Sequence, residues 1–188
     1  MAFSEMQLLQ SAIQGDVNAF ETLVETHEKR IYNLCLRTMS QPEDAWDMTQ
    51  ETLIKAWANL AKFKGKSAFG TWLYRIAVNT CMDELRRRKK HRTLSMDHLL
   101  EGGFESPDPK GDFVDSSITR DQLEQALSQL TPEHRVIMTL RDIQGFSYEE
   151  IANILQCPLG TVRSRINRAR GAMMKLIREQ EGAMKASV

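Results

Sequence analysis

Ala19, Phe20, Leu23, Val24, His27, Ile31, Leu34 and Cys35 stand three and four residues apart. That spacing puts apolar side chains on one face only if the backbone winds as an α-helix. Asp16, just after Gly15, is placed to cap the helix. The same period returns after Gln41-Pro42, from about Glu43 to Leu60, and again from about Phe69 to Lys90. Further on, a helix is predicted from about Ile118 to Leu130. Thr131-Pro132-Glu133 then reads as an N-cap with proline at the first helical position, opening a helix that runs to about Asp142 and ends by Gly145. No convincing alternating apolar run and no Asn-Gly hairpin appears. The chain is expected to be all-α.

From about Thr93 to Ile118 the period fails, and Gly, Pro, Ser and Asp dominate. This stretch reads as a flexible acidic linker, residues 93–118, between a helical domain of residues 1–92 and a second of residues 119–188. A length of 188 residues allows two such small domains. Cys35, Cys81 and Cys157 stand far apart with no CxxC, which suits free thiols in a reducing cytoplasm. No window approaches the roughly 18–20 apolar residues of a membrane helix. Residues 1–10 lack the basic and then apolar pattern of a secretion signal. A cytoplasmic protein without direct membrane insertion is expected.

The 25 basic and 25 acidic side chains cancel, but not locally. Residues 62–92 carry ten basic and two acidic side chains, net +8. Residues 158–178 carry six basic and no acidic ones, net +6. Two separate basic zones in a neutral chain suggest two surfaces for anions. A merely solvated basic face is the plainer alternative for either zone.

The second zone lies in a recognisable context. Ser147-Tyr148-Glu149-Glu150 fits a capping box, and Tyr148, Ile151, Ala152 and Leu155 form one stripe of the short helix it opens. Gln156-Cys157-Pro158-Leu159 breaks that helix, and another starts near Gly160-Thr161, the spacing of a helix-turn-helix. At 100° per residue, Val162, Ile166, Ala169 and Met173 fall in an apolar stripe about 60° wide. Ser164, Asn167 and Arg168 lie opposite, flanked by Arg163, Arg165 and Arg170. Polar side chains in front can reach base edges, and arginines on the shoulders can pair with phosphates.

The first zone mixes aromatics with cations. Phe63, Ser67 and Phe69 lie in a loop rich in lysine and glycine that runs into a helix. On that helix Leu73, Tyr74, Ala77, Val78, Cys81 and Leu85 make the core side. Trp72, Asn79, Asp83, Arg86 and Arg87 fall on the other side. Rings that stack, an amide and guanidiniums suit unpaired bases, each stacked base contributing roughly 1–3 kcal/mol. For Trp72 taken singly, core packing is the alternative. On the Glu43–Leu60 helix, Ala45, Trp46, Thr49, Thr52, Leu53, Ala56, Trp57 and Leu60 cover about 140° and are expected to be buried. The far side sets Asp47, Gln50 and Glu51 around Ile54. A small apolar centre in an acidic rim suits a basic helical partner, and a solvated amphipathic face would look the same.

The segments Asp47–Trp57, Phe63–Asn79, Ser147–Ala152 and Cys157–Arg165, in that order, resemble the extracytoplasmic-function (ECF) sigma factors of bacteria. The resemblance implies an initiation subunit of RNA polymerase, controlled by an anti-sigma factor. Asp47, Gln50, Glu51 and Ile54 match the family's helix that docks on the clamp helices of the largest polymerase subunit. Phe63–Trp72 resembles the loop that captures a flipped base. Asn79, Asp83 and Arg86 sit on the matching −10 reading helix. Arg163, Ser164, Asn167 and Arg168 take the base-facing positions of the −35 reader. His27 stands where Tyr is usual, and Trp46 where an acid often is. Between promoter elements about 17 base pairs apart, some 58 Å, a coiled linker of this length reaches only about 28 Å. It must be drawn out on the polymerase.

An enzyme is disfavoured. His27, His91, His98 and His134 do not cluster at metal spacing, and no P-loop, dinucleotide fingerprint or nucleophile motif appears, so neither metal nor cofactor is expected. A stand-alone helix-turn-helix repressor is the second alternative. It should bind duplex DNA unaided, whereas a sigma factor binds promoters tightly only with core polymerase.

Overall fold

The structure, a computed structural model, describes residues 4–95 and 119–186. Among them every regular element is helical. Two compact units divide the chain: the first runs as far as Arg87 and also takes in Asn153–Gln156, and the second takes the rest.

In the first unit α1 spans Glu5–Ile13, a helix the apolar spacing had not signalled. Its signal is a capping box, with Ser4 and Gln7 exchanging side-chain and backbone hydrogen bonds. α2 spans Val17–Met39, capped by Asp16 as expected and closed by Ser40 at φ 67°. α3 spans Pro42–Asn59, with proline in its first turn and Glu43 and Asp44 against its positive end. A 3-10 turn, Leu60–Lys62, leads into the loop before α4, Phe69–Ser95. α4 is unbroken over its 27 residues, so residues 93–95, expected to begin the linker, are helical. The rest of the proposed linker lies outside the described residues.

The core of this unit is where α2, α3 and α4 meet. Ile31, Leu34, Cys35, Ala45, Ala56, Leu73, Ala77 and Cys81 are wholly buried there. Thr49 and Thr52 are buried too, at no cost in unmet hydroxyls, because each donates to the carbonyl four residues back, Ala45 at 2.7 Å and Met48 at 2.6 Å. Lys55 bridges helices: its Nζ lies 2.7 Å from Glu51 Oε1 and donates to Thr80 Oγ1 at 3.3 Å. Trp46 corrects the sequence expectation, since it is half exposed at 51%. The buried arc of α3 is rotated toward Met48, leaving Trp46 on its rim with one side covered by the Tyr32 ring, centroids 5.8 Å apart.

His27 is pressed between α2 and the start of α4, its ring 5.9 Å from that of Phe69. A Cβ on Gly70 would come within 2.9 Å of the His27 ring, so a larger residue here would push that ring aside. Burial holds the His27 imidazole below its ordinary value near 6.5. The unfolded chain therefore binds more protons than the folded one as pH falls below about 6.5 toward the depressed folded value. Over that window wild type is expected to lose stability that His27→Gln retains. Urea midpoints measured from pH 7.5 down to pH 5 check this.

In the second unit α5 spans Arg120–Gln129, opened by a Thr119–Gln122 capping box. α6 spans Pro132–Met138 with Thr131 as its cap. It widens into a π-helical turn, Thr139–Ile143, closed where Gln144 N–H donates to the Thr139 carbonyl at 2.9 Å. Gly145 then turns the chain at φ 78°. α7 spans Tyr148–Leu155, and α8 spans Leu159–Ala186. The Ser147–Glu150 capping box forms, with bonds of 2.8 and 3.2 Å. The stripe of α7 sits slightly off its expected place: Ile151 and Ile154 are buried, whereas Tyr148, Ala152 and Leu155 are only partly covered. No described helix is long and apolar enough to cross a membrane.

Candidate nucleic-acid interface

α8 is fixed from behind. Val162, Ile166, Ala169, Met173 and Ile177 are each at most 1% exposed. Arg163, Ser164, Arg165, Asn167 and Arg168 all stand exposed on the rest of its surface. The preceding turn holds this face in place: Gln156 adopts φ 50°, and Cys157 N–H donates to the Ala152 carbonyl at 3.1 Å. Arg168 folds back so that Nε reaches the Ser164 carbonyl at 3.4 Å, leaving the rest of its guanidinium on the open face. Arg170, expected on a shoulder of this face, is held in an ion pair. Its Nη2 lies 2.6 Å from Asp142 Oδ1, which ties α8 to the π-helical turn.

In the first unit Lys62, Phe63, Lys64, Lys66, Ser67, Trp72 and Arg75 enclose a cavity of about 180 Å³. Gly65, at φ 64°, lets the loop turn back over it. Two expected stacking rings are placed differently from their sequence reading. Phe69 is 1% exposed and Trp72 7%. Both pack with Phe63 in one cluster, Trp72 lying 5.2 Å from Phe63 and 5.7 Å from Phe69 between ring centroids. A helical wheel assigns Trp72 an outward angle but cannot see the loop fold over it. Phe63 is partly exposed, so the cavity offers a ring edge, a hydroxyl and cations rather than a row of open aromatics. Lys64 and Lys66 belong to the lysine-rich loop and Arg75 to the outward side of the helix already read from sequence, while Lys62 is an addition whose signal is the alternation of lysine with Phe63 and Gly65.

Further along α4, Asn79, Asp83, Arg86 and Arg87 are exposed. Arg86 pairs with Asp83 at 2.8 Å, and Arg87 grips Glu84 with two bonds, 2.7 and 3.0 Å. The Arg86–Asp83 pair is exposed on both sides and weak, so a phosphate can displace Asp83, whereas the Glu84 side chain that holds Arg87 is only 10% exposed. On α3 the third surface is present: Asp47, Gln50 and Glu51 are exposed around Ile54, which is 67% exposed. Among the described residues no cluster of three or more His, Cys, Asp or Glu is placed to hold a metal.

Comparison with known proteins accounts for this arrangement. Residues 23–91 match the family model of sigma-70 region 2, and residues 120–173 match sigma-70 region 4. Region 2 followed by region 4 defines a sigma-70-type initiation factor. The RNA polymerase sigma-H factor of Pseudomonas aeruginosa is 38% identical, over 92% of this chain and 93% of that one. The ECF RNA polymerase sigma-E factor of Haemophilus influenzae is also 38% identical, over 89% and 92%. Among solved structures, the sigma factor RpoE of Bartonella quintana, in complex with the anti-sigma factor NepR, superposes with a TM-score of 0.68. It is 28% identical and covers 86% of this chain and 98% of its own. CnrH, in complex with the cytosolic domain of CnrY, gives a TM-score of 0.66 at 25% identity, over 92% and 96%. The chain belongs to the ECF sigma factors of RNA polymerase. Its function is promoter-directed initiation of transcription.

Proposed function

We propose that the chain works through three surfaces spread over residues 1–92 and 119–188, with residues 93–118 as the connection between them. Asp47, Gln50, Glu51 and Ile54 on α3 dock on the clamp helices of core polymerase. Arg163, Ser164, Arg165, Asn167 and Arg168 on α8 enter the major groove at the −35 element. The cavity rimmed by Phe63 and Ser67, with Asn79, Asp83, Arg86 and Arg87 beyond it, holds the melted −10 strand. Phe69 and Trp72 act as the packed wall of that cavity. A base extruded from the duplex needs a pocket with ring surface and polar edges, and its backbone needs cations. Opening DNA this way uses binding energy, so the protein needs no hydrolytic site and is not an enzyme. It works in the cytoplasm, where polymerase is, and an anti-sigma factor controls it.

One observation carries this reading: from Leu159 to Arg178 the polar face of α8 holds no acid and lies opposite a stripe that is fully buried. The test compares promoter binding with and without core polymerase. Tight promoter binding and run-off transcription are expected only with core. Tight duplex binding by the isolated protein would favour the repressor alternative. The docking face has its own test. Ile54→Asp should weaken binding to core polymerase by about 30-fold, the loss of one hot-spot contact. Its melting curve should not move, because Ile54 is exposed. Titration of labelled protein with core polymerase measures the affinity.

A further inference from the structure

Cys35 on α2 and Cys81 on α4 are both 0% exposed, and their sulfurs are 3.6 Å apart. They are 46 residues apart in sequence and meet only because the two helices cross. Neither thiol serves a surface described above. Cys81 lies between Asn79 and Asp83 in sequence but on the opposite face of α4, and Thr49 of the docking helix packs beside Cys35. The pair is therefore seated directly behind two of the three working faces.

We propose that Cys35 and Cys81 are a reversible oxidation site, which a peroxide converts to an intramolecular disulfide that lowers promoter-directed initiation. This consequence rests on the role proposed for α4; the disulfide itself does not. The Cys81 thiol donates its hydrogen bond to Cys35 Sγ, which holds the Cys35 thiol below its ordinary value and lifts that of Cys81. Cys35 is thus the attacking sulfur. Its thiolate forms an S–O bond with hydrogen peroxide while the O–O bond breaks, and the leaving hydroxide takes up the proton that Cys35 released. Cys81 Sγ then attacks the sulfenic sulfur of Cys35. The S–S bond forms, the S–O bond breaks, and hydroxide leaves as water with the Cys81 proton. Two thiols lose two electrons and two protons, and one peroxide becomes two waters.

To bond, the sulfurs must close from 3.6 Å to about 2.05 Å. A close-packed interior transmits that movement, so α4 shifts on α2 and its nucleic-acid face moves with it. Burial makes the reaction slow, governed by local opening of the first unit. Cys157, partly exposed in the second unit, is the competing thiol.

The full chain is treated with hydrogen peroxide, free thiols are alkylated, and intact mass and unreduced peptides are measured. The expected result is a mass about 2 Da lower before alkylation, from the two hydrogens lost, and a peptide joining Cys35 to Cys81. The cross-link should persist in Cys157→Ser and vanish in Cys35→Ala and in Cys81→Ala, whose small apolar side chains suit the core. With core polymerase, oxidised wild type should give about fivefold less run-off product or lower still, the scale of a modest coupling energy. Dithiothreitol should restore it, and Cys35→Ala with Cys81→Ala should be insensitive. Sulfinic acid at either cysteine, Cys157-linked dimers with the pair still alkylated, or a disulfide without loss of transcription would each overturn the proposal. Failure of the reduced protein to start transcription would overturn the promoter reading instead, while the mass result still decides whether the disulfide forms.

Discussion

Run-off transcription from a promoter with both elements is expected to fall roughly 100-fold or more when Arg163 and Arg168 are both replaced by Glu, since each base contact carries about 1–3 kcal/mol. Reversal also sets a carboxylate against phosphate, so the loss exceeds that of neutral replacements. Both residues are exposed, and the stripe that anchors α8 lies elsewhere on the helix. The melting temperature should therefore hold. Arg170→Glu behaves differently: it breaks the ion pair with Asp142 and puts two carboxylates together, so it should lower stability as well as DNA binding. Unchanged RNA synthesis from the double variant would remove α8 from promoter recognition.

Trp72→Ala is expected to destabilise the first unit by about 3–5 kcal/mol, the cost of deleting a large buried aromatic and leaving a cavity. Trp72 is 7% exposed and touches Phe63 and Phe69, so the loss reaches the loop that forms the cavity wall. Trp72→Phe keeps a ring in the cluster. It should recover most of the stability and separate a packing role from a specific demand for indole. Urea titration of residues 1–92 within the full chain, followed by Trp fluorescence of Trp46 and Trp57, measures the first effect. Permanganate footprinting of the −10 strand measures the second. A Trp72→Ala protein that melts normally but cannot open DNA would return Trp72 to the exposed stacking role that its position on the wheel suggests.

Much of this architecture was legible in the sequence, for identifiable reasons. The stripe Val162, Ile166, Ala169 and Met173 repeats with a clean helical period between a proline break and a run without acids, and all four residues are buried. Caps at Asp16, Thr131 and Ser147 are local signals, and all three form. What escaped was non-local. Trp72 is covered by Phe63 of the preceding loop together with Phe69 at the start of α4. Arg170 finds Asp142 28 residues away. Trp46 is left in the open because α3 turns Met48, rather than Trp46, into the core. α1 is short, with a single buried residue, Ala12, so its apolar period was too brief to detect.

α4 is continuous for 27 residues, about 40 Å at the usual rise, and from Arg86 to His91 every side chain is exposed. The angular phase between the amide at Asn79 and the guanidiniums beyond it is set by residue count, as teeth are set on a shaft. One residue added between Cys81 and Arg86 would swing those cations through about 100° relative to the anchored end, leaving composition and charge intact while pointing the positive arm away from the strand it must follow.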